Sequence, residues 1–521
     1  MSEAGSGTTR TVGRLSRASI SAPLIRLAAL LLGAAFTLSP LLAIPARAIG
    51  ANDIYVGSND DSSGASSCDD PDFSTNGDDE GHINLALDAA LAAVDDDGDV
   101  IIVCNGLYEY DDSTLVHDAD ESRYDSITIH AETSGGVILN GAFVGHVGLH
   151  FINTDIEVVG IVFQSLAPAI RAEGVGHELR VEEASFYGNQ ANWGGAISAV
   201  RMNVTVVDSV FGAVANDPDT LPNEWFNYAS SDGGAIWATS DIVSLVSIQG
   251  STFVGNRSDE DGGAVWIGDA VRLEVSDSTF TSNFTNPDFD HCGGAIALAN
   301  SAGATITNST FIENSAHTGG AVEAHAFCSG DEFSTLEVRR STFVGNQAMC
   351  AGGAIEARSV VISDSKFARN SATVCAGGAI AVDGIESDAE VRIERNDFSG
   401  NTLGDACCHG GALYLFFESS GTPLIRGNRF SSNHAELRGG GAVIWGEGRV
   451  VDLSGVQRNS FIRNTSTEGG GLALCAAEHA GFSAAQARRL ARLNRFTSNR
   501  GGNRRTANLA NFQDQCIVEP G

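Results

Sequence analysis

Along most of the chain one short alternation of apolar and polar positions keeps returning. Its clearest copy spans residues 341–357, S-T-F-V-G-N-Q-A-M-C-A-G-G-A-I-E-A. Within G-G-A-I-E-A the period is two. Gly353, Ile355 and Ala357 fall on one face and Ala354 and Glu356 on the other, as in a strand with one wet side. The position after G-G-A is branched and apolar in every copy (Ile197, Ile236, Val265, Ile296, Val322, Ile355, Ile380, Leu413, Val443, Leu472), so it is predicted to face a core. A second apolar run, 360–362, ends at Ser363 and Asp364, after which Ser365 and Phe367 point inward again. Asn370 closes the segment, a residue type that tolerates left-handed backbone and bonds to its own backbone.

The F-x-x-N half recurs at Phe186/Asn189, Phe253/Asn256, Phe280/Asn283, Phe311/Asn314, Phe343/Asn346, Phe367/Asn370, Phe398/Asn401, Phe430/Asn433, Phe461/Asn464 and Phe496/Asn499. The glycine pairs keep step. Their first members are Gly194, Gly233, Gly262, Gly293, Gly319, Gly352, Gly377, Gly410, Gly440 and Gly469, spaced 25 to 39 residues apart. One such unit cannot bury its apolar edge alone. Stacked at about 4.8 Å, each unit pairs its backbone with the next and brings like residues into columns, Phe on Phe and Asn on Asn. The pattern predicts an all-β, single-stranded solenoid whose coils carry loops of unequal length.

G-G-A-[ILV] paired with F-x-x-N resembles the polymorphic outer membrane protein repeat, over roughly residues 100–500. The resemblance implies a right-handed parallel β-helix of pectate-lyase-like fold in a secreted or surface-displayed protein. It does not imply lyase activity, because the fold hosts enzymes, adhesins and structural passengers alike.

The chain divides into four parts. Residues 1–48 read as a signal peptide, in which Arg10, Arg14, Arg17 and Arg26 precede an apolar run ending at Ala46-Arg47-Ala48, an A-x-A cleavage site. Residues 49–99 are an N-terminal loop and capping helix, the helix set by Ile83, Leu87, Ala90, Leu91 and Val94 on one face. Residues 100–480 form the β-helix, and 481–521 the last coil and a small C-terminal cap with a helical pattern over 483–493. No later apolar run is long enough to span a membrane as a helix. The 57 residues after Asn464 are too few for a twelve-strand translocator barrel at about 10 residues per strand, so a separate anchor protein would hold such a chain at a surface.

A formal charge of −34, from 65 acidic and 31 basic residues, disfavours nucleic acid as a partner; Ca2+ is the ion such an exterior would recruit. Asp95-Asp96-Asp97-Gly98-Asp99 lacks the bidentate Glu of a calcium loop and reads as a turn. Against the trend, Arg488, Arg489, Arg492, Arg495, Arg500, Arg504 and Arg505 fill a stretch without an acid between Glu478 and Asp514. They would either pair with the protein's own acidic faces or dock on anionic glycans.

All ten cysteines follow the signal segment, so disulfides are expected. Cys350, Cys375 and Cys408 each stand two residues before a glycine pair and should form one column, in which neighbours can bridge. Cys68 with Cys104 would staple the N-terminal cap and Cys475 with Cys516 the C-terminal one. A thiolate metal site in the column, with His291 or His409, is the rival reading.

Stacking also makes distant residues neighbours. Four residues past the first glycine the outward column reads Trp237, Trp266, Ala297, Glu323, Glu356, Ala381, Tyr414, and six past it it carries His325, Arg358 and Asp383. Glu323, His325, Glu356, Arg358 and Asp383 are thus predicted to share one exterior patch. Paired carboxylates there would divide acid and base duty, with Arg and His as proton acceptors or anion clamps. The bland reading is that the outward columns of any solenoid are polar. Trp237 and Trp266 stack just upstream with Trp193 at their edge, a strip suited to a sugar face. There is no P-loop, G-x-S-x-G or H-E-x-x-H. The sequence therefore points to an exported, non-catalytic β-helix in adhesion, glycan contact or surface structure. The alternative is a polysaccharide lyase or hydrolase acting on acidic glycans in a groove on the exterior.

Overall fold

The repeat closes into coils of a right-handed parallel β-helix. The structure, a computed structural model, describes residues 100–501 apart from 110–114, 119–125, 142–144, 213–225, 288–289, 301, 325–333, 405–408, 447–450 and 477–483. Outside this range it describes 54–57, 68, 73–74, 86–87, 90–91 and the strand Leu509–Gln513. A typical coil runs through Ile355–Ala357, Ser359–Ser363, Lys366–Ala368 and the short Ser371–Ala372. Every strand pairs in parallel with its counterparts one coil away. Phe343 lies opposite Phe311 and Phe367, and Ile355 opposite Val322 and Ile380.

Two columns hold the stack together. Phenylalanines from Phe163 to Phe496 stack ring on ring at 4.5 to 5.0 Å between centroids, all buried except the last, which is partly buried. Beside them runs an amide ladder. Asn346 Nδ2 donates to Phe311 O at 3.0 Å and to Asn370 Oδ1 at 2.9 Å, while its own Oδ1 accepts from the backbone N and the Nδ2 of Asn314. Both amide protons and both lone pairs are used, which is why Asn suits a fully buried corner that an Asp, with no donor, would leave unsatisfied. A second ladder, of serines from Ser209 to Ser365 and asparagines from Asn396 to Asn494, satisfies the preceding corner in the same way.

The structure amends the expected register in three places. Phe163 and Phe211 join the stack although neither belongs to an F-x-x-N unit. Asn227 fills the ladder after Phe211, beyond the inserted residues 213–225. In the run Gly439-Gly440-Gly441 the first glycine of the pair is Gly439, not Gly440. Ala442 therefore takes the inward position and Val443 turns outward, opposite Tyr414.

Ala86, Leu87, Ala90 and Leu91 are helical and buried in the main core, as a cap requires; Ile83 and Val94 lie outside the described residues. At the other end the helix Ala484–Leu493 stands where earlier coils place their second strand, with Leu490 buried. No described helix is long and apolar enough to cross a membrane.

Cys68–Cys104 and Cys350–Cys375 are disulfides, with Cα atoms 5.4 and 4.7 Å apart; Cys408 lies outside the described residues. Cys292, which the column argument passed over, is also disulfide-bonded. The expected Cys475–Cys516 bridge is a correction: Cys475 is a buried thiol beside Trp445, and its register partner on the following strand is Phe512, while Cys516 lies outside the described residues.

Candidate functional site

The glycine pair decides what the outward columns do. The first glycine of each pair has a φ between +56° and +84°, and a Cβ at Gly352 would lie 2.3 Å from the carbonyl oxygen of Ile355. The chain doubles back there, so that the residue before the pair stands over the outward residue of the following coil, four past that coil's first glycine. Trp193 meets Trp237 in this way, Thr318 hydrogen-bonds Glu356, and a Cβ on Gly319 would come 2.9 Å from Glu323 Oε2.

The predicted carboxylate patch is corrected by this geometry. Glu323 and Glu356 do turn away from the bore and are register partners on adjacent coils, yet they are only 1% and 4% exposed. They form a buried layer, not an exterior one. Burial above all, and then the charge of Asp383, pushes the Glu356 carboxyl up to about 8, with the Thr318 hydrogen bond pulling the other way. Glu356 is therefore a neutral acid at pH 7. Asp383 is also raised by burial and by Glu418, opposed by the Gly384 N–H and the Arg358 guanidinium. Arg358 is half-buried and passes so close to Gly384 that a Cβ there would lie 2.9 Å from its Nε. His325 lies outside the described residues. The structure thus gathers Glu323, Glu356, Arg358 and Asp383, but with both glutamates buried away from solvent. Among the described residues no three His, Cys, Asp or Glu side chains are grouped to hold a metal ion.

The tryptophans sit differently. Trp237 stacks on Trp266 with centroids 5.7 Å apart and planes 11° apart, and Trp193 continues the series at 6.0 Å. Trp193 is 50% exposed and the other two are half-buried. Gly268 makes room for the series, since a Cβ there would fall 2.2 Å from the Trp266 ring. The rings lie along the outside of three consecutive coils, and Ile242 and the 89% exposed Val243 extend the same strand as Trp237.

Two residues that motif reading missed continue the column begun by Trp193. Asp232 and Asp261 precede the next two glycine pairs. Asp232 Oδ1 accepts from Asp261 N at 3.1 Å and Asp261 Oδ1 from Cys292 N at 2.8 Å. Burial above all raises them to about 6 and about 7, opposed by these backbone hydrogen bonds and aided by the charge of Glu260 on both and of Asp232 on Asp261, so each switches between donor and acceptor near neutrality. Their signal in the sequence was D-G-G-A in two successive copies.

Among known proteins, the family model of the Chlamydia polymorphic membrane protein repeat matches residues 183–200, the copy that carries Phe186, Asn189, Trp193 and Gly194. Among solved structures, ORF18 of Geobacillus virus E2 is similar at 10% identity and a TM-score of 0.25, covering 78% of this chain and 60% of that one. A mannuronic-acid-specific polysaccharide family 6 lyase from human gut microbiota is similar at 12% identity and a TM-score of 0.24, covering 78% of this chain and 88% of that one. A search of curated proteins finds no match.

Proposed function

We propose that this chain, a β-helix of polymorphic membrane protein repeats, is an exported surface protein that works by contact with glycans and not by catalysis. The observation that carries this reading is the indole series Trp193, Trp237 and Trp266, laid at coil spacing along an outer edge. Flat aromatic faces with a polar edge suit the apolar faces of sugar rings, and Asp232 and Asp261 continue the column with groups able to donate to or accept from hydroxyls. The burial of Glu323 and Glu356, the carboxylate pair proposed for acid and base duty, at 1% and 4% exposure supports contact over catalysis at that place.

The test is a glycan array probed with the wild-type chain and with Trp237→Ala/Trp266→Ala. The expected outcome is binding that the double variant loses; equal binding by both overturns the reading. Incubation with polyuronates and calcium should release no unsaturated product. Product that Glu356→Ala or Arg358→Ala abolishes would replace contact by catalysis.

A further inference from the structure

The exterior arginines of this chain fall into two groups. Along the body of the solenoid a carboxylate on the same or the adjacent coil answers most of them, as Arg171 by Glu173, Arg180 by Glu182, Arg201 by Asp241, Arg272 by Glu274, Arg392 by Glu394 and Arg395 by Asp364, while exposed Arg340 bonds to Asn308 and exposed Arg369 forms no ion pair among the described residues. In the last two coils this stops. Arg458, Arg463, Arg488, Arg492, Arg495 and Arg500 are all exposed, and none forms an ion pair among the described residues. The sole acid among the described residues of these coils beyond Asp452, Glu468, is bound to Arg438 at 2.9 Å. Self-pairing, one of the two fates the sequence allowed this arginine-rich stretch, does not occur there among the described residues.

The placement is regular. Arg458 and Arg463 flank the strand Ser460–Ile462, and Arg495 opens the strand stacked directly on it, with Ser460 as register partner. The backbone N–H groups of Arg495 and Arg500 donate to Asn459 O and Asn464 O of the coil below, at 2.8 and 2.9 Å. Arg488 and Arg492, one helical turn apart, add charge from the capping helix, whose Leu490 faces the core. Like charges at that spacing repel by a few tenths of a kcal/mol, which the helix dipole offsets only at Arg492 in the last turn. A chain with 65 acidic residues has no compositional reason to gather such a cluster.

We propose that this terminal face binds an anionic polysaccharide, carrying carboxylate or sulfate groups, as a site separate from the tryptophan series. Guanidinium groups grip such anions with two parallel hydrogen bonds. Cations spread over two adjacent coils and the capping helix meet a polymer that carries many charges better than a single small anion. A folded protein partner fits less well, because stable interfaces have an apolar centre and, among the described residues, none of the large exposed hydrophobic side chains lies in these coils. Single-stranded nucleic acid would want exposed aromatics for stacking, also missing among the described residues here, and a duplex is an arm of the test. The acidic body does not cancel the attraction, since charges beyond about 8 Å are screened at physiological salt.

The test uses the exported chain on immobilised heparin and polygalacturonate, with neutral dextran as control, across a series of salt concentrations. Wild type should be retained on both acidic polymers and not on dextran. The variants Arg458→Gln/Arg495→Gln and Arg488→Gln/Arg492→Gln should each lose about tenfold or more in affinity, with the slope of log K against log salt reduced by about one per arginine removed. Arg201→Gln, at an answered arginine, and Trp237→Ala/Trp266→Ala should bind as wild type, which separates this site from the sugar-face reading. Thermal unfolding of each variant checks that the fold is intact. The proposal is overturned by equal retention of wild type and both arginine variants, or by a DNA duplex bound more tightly than either polysaccharide. It is equally overturned if light scattering shows self-association that the variants abolish while heparin binding persists.

Discussion

Glu356→Gln probes the buried acid layer directly. The Glu356 carboxyl is shifted from an ordinary 4.5 to about 8, which corresponds to about 5 kcal/mol between its protonated and ionised folded forms. Between those two values the folded chain keeps a proton that the unfolded chain has released, so stability falls as pH rises through that window. The contribution is complete below pH 4.5, is lost by about pH 8, and stays lost above it. Glutamine has the shape of the protonated acid and can still accept from Thr318, but carries no charge at any pH. At pH 5 the variant should match wild type. At pH 9 it should be the more stable protein, by a few kcal/mol, with the shallower slope that remains assigned to Asp383, shifted in the same direction. Because solenoid stability is a sum over neighbouring coils, amide exchange over residues 318–383 at pH 5, 7 and 9, alongside thermal unfolding, localises the effect. Parallel pH profiles for the two proteins would refute the idea of a neutral buried acid.

The columns themselves are testable. Asn346→Ala strips the amide ladder of its bonds to Asn314, Phe311 and Asn370, leaving several buried groups unpaired, and should cost about 4 kcal/mol by denaturant unfolding. Asn346→Asp, which keeps the acceptors but loses the donors, should restore little of it. Removing the Cys350–Cys375 bridge as a double Ala variant opens a loop of 25 residues and should cost about 3 kcal/mol by denaturant unfolding under oxidising conditions.

The fold was readable because its stabilising contacts are identities repeated along the chain. Phe343 stacks on Phe311 because both follow the same offset from the same corner, and a motif scan detects that offset without knowing a coordinate. Where the offset breaks, reading fails. Asn227 does the work of the asparagine after Phe211 from beyond an insertion, and no spacing rule points to it. Gly439 shows the smaller form of the same failure: three glycines in a row leave the register ambiguous, and the turn is settled only by which one takes the positive φ.

The site was less legible, and the reason is a step in the alternation argument. Period two correctly assigned Glu323 and Glu356 to the side away from the bore. Outside the bore is not outside the protein, because the left-handed glycine folds the preceding residue over that side, as Thr318 over Glu356. The same turn explains why the tryptophans differ from the glutamates. Where the covering residue is itself a tryptophan, as at Trp193, covering produces an aromatic surface that stays in contact with solvent. Where it is Thr318 or Cys292, small and hydrogen-bonded to each other, it seals the acids in. Surface chemistry on this solenoid is therefore set by pairs of positions, one before the glycine pair of one coil and one four past the first glycine of the next. A column read from the second position alone reports only half of what a ligand would meet.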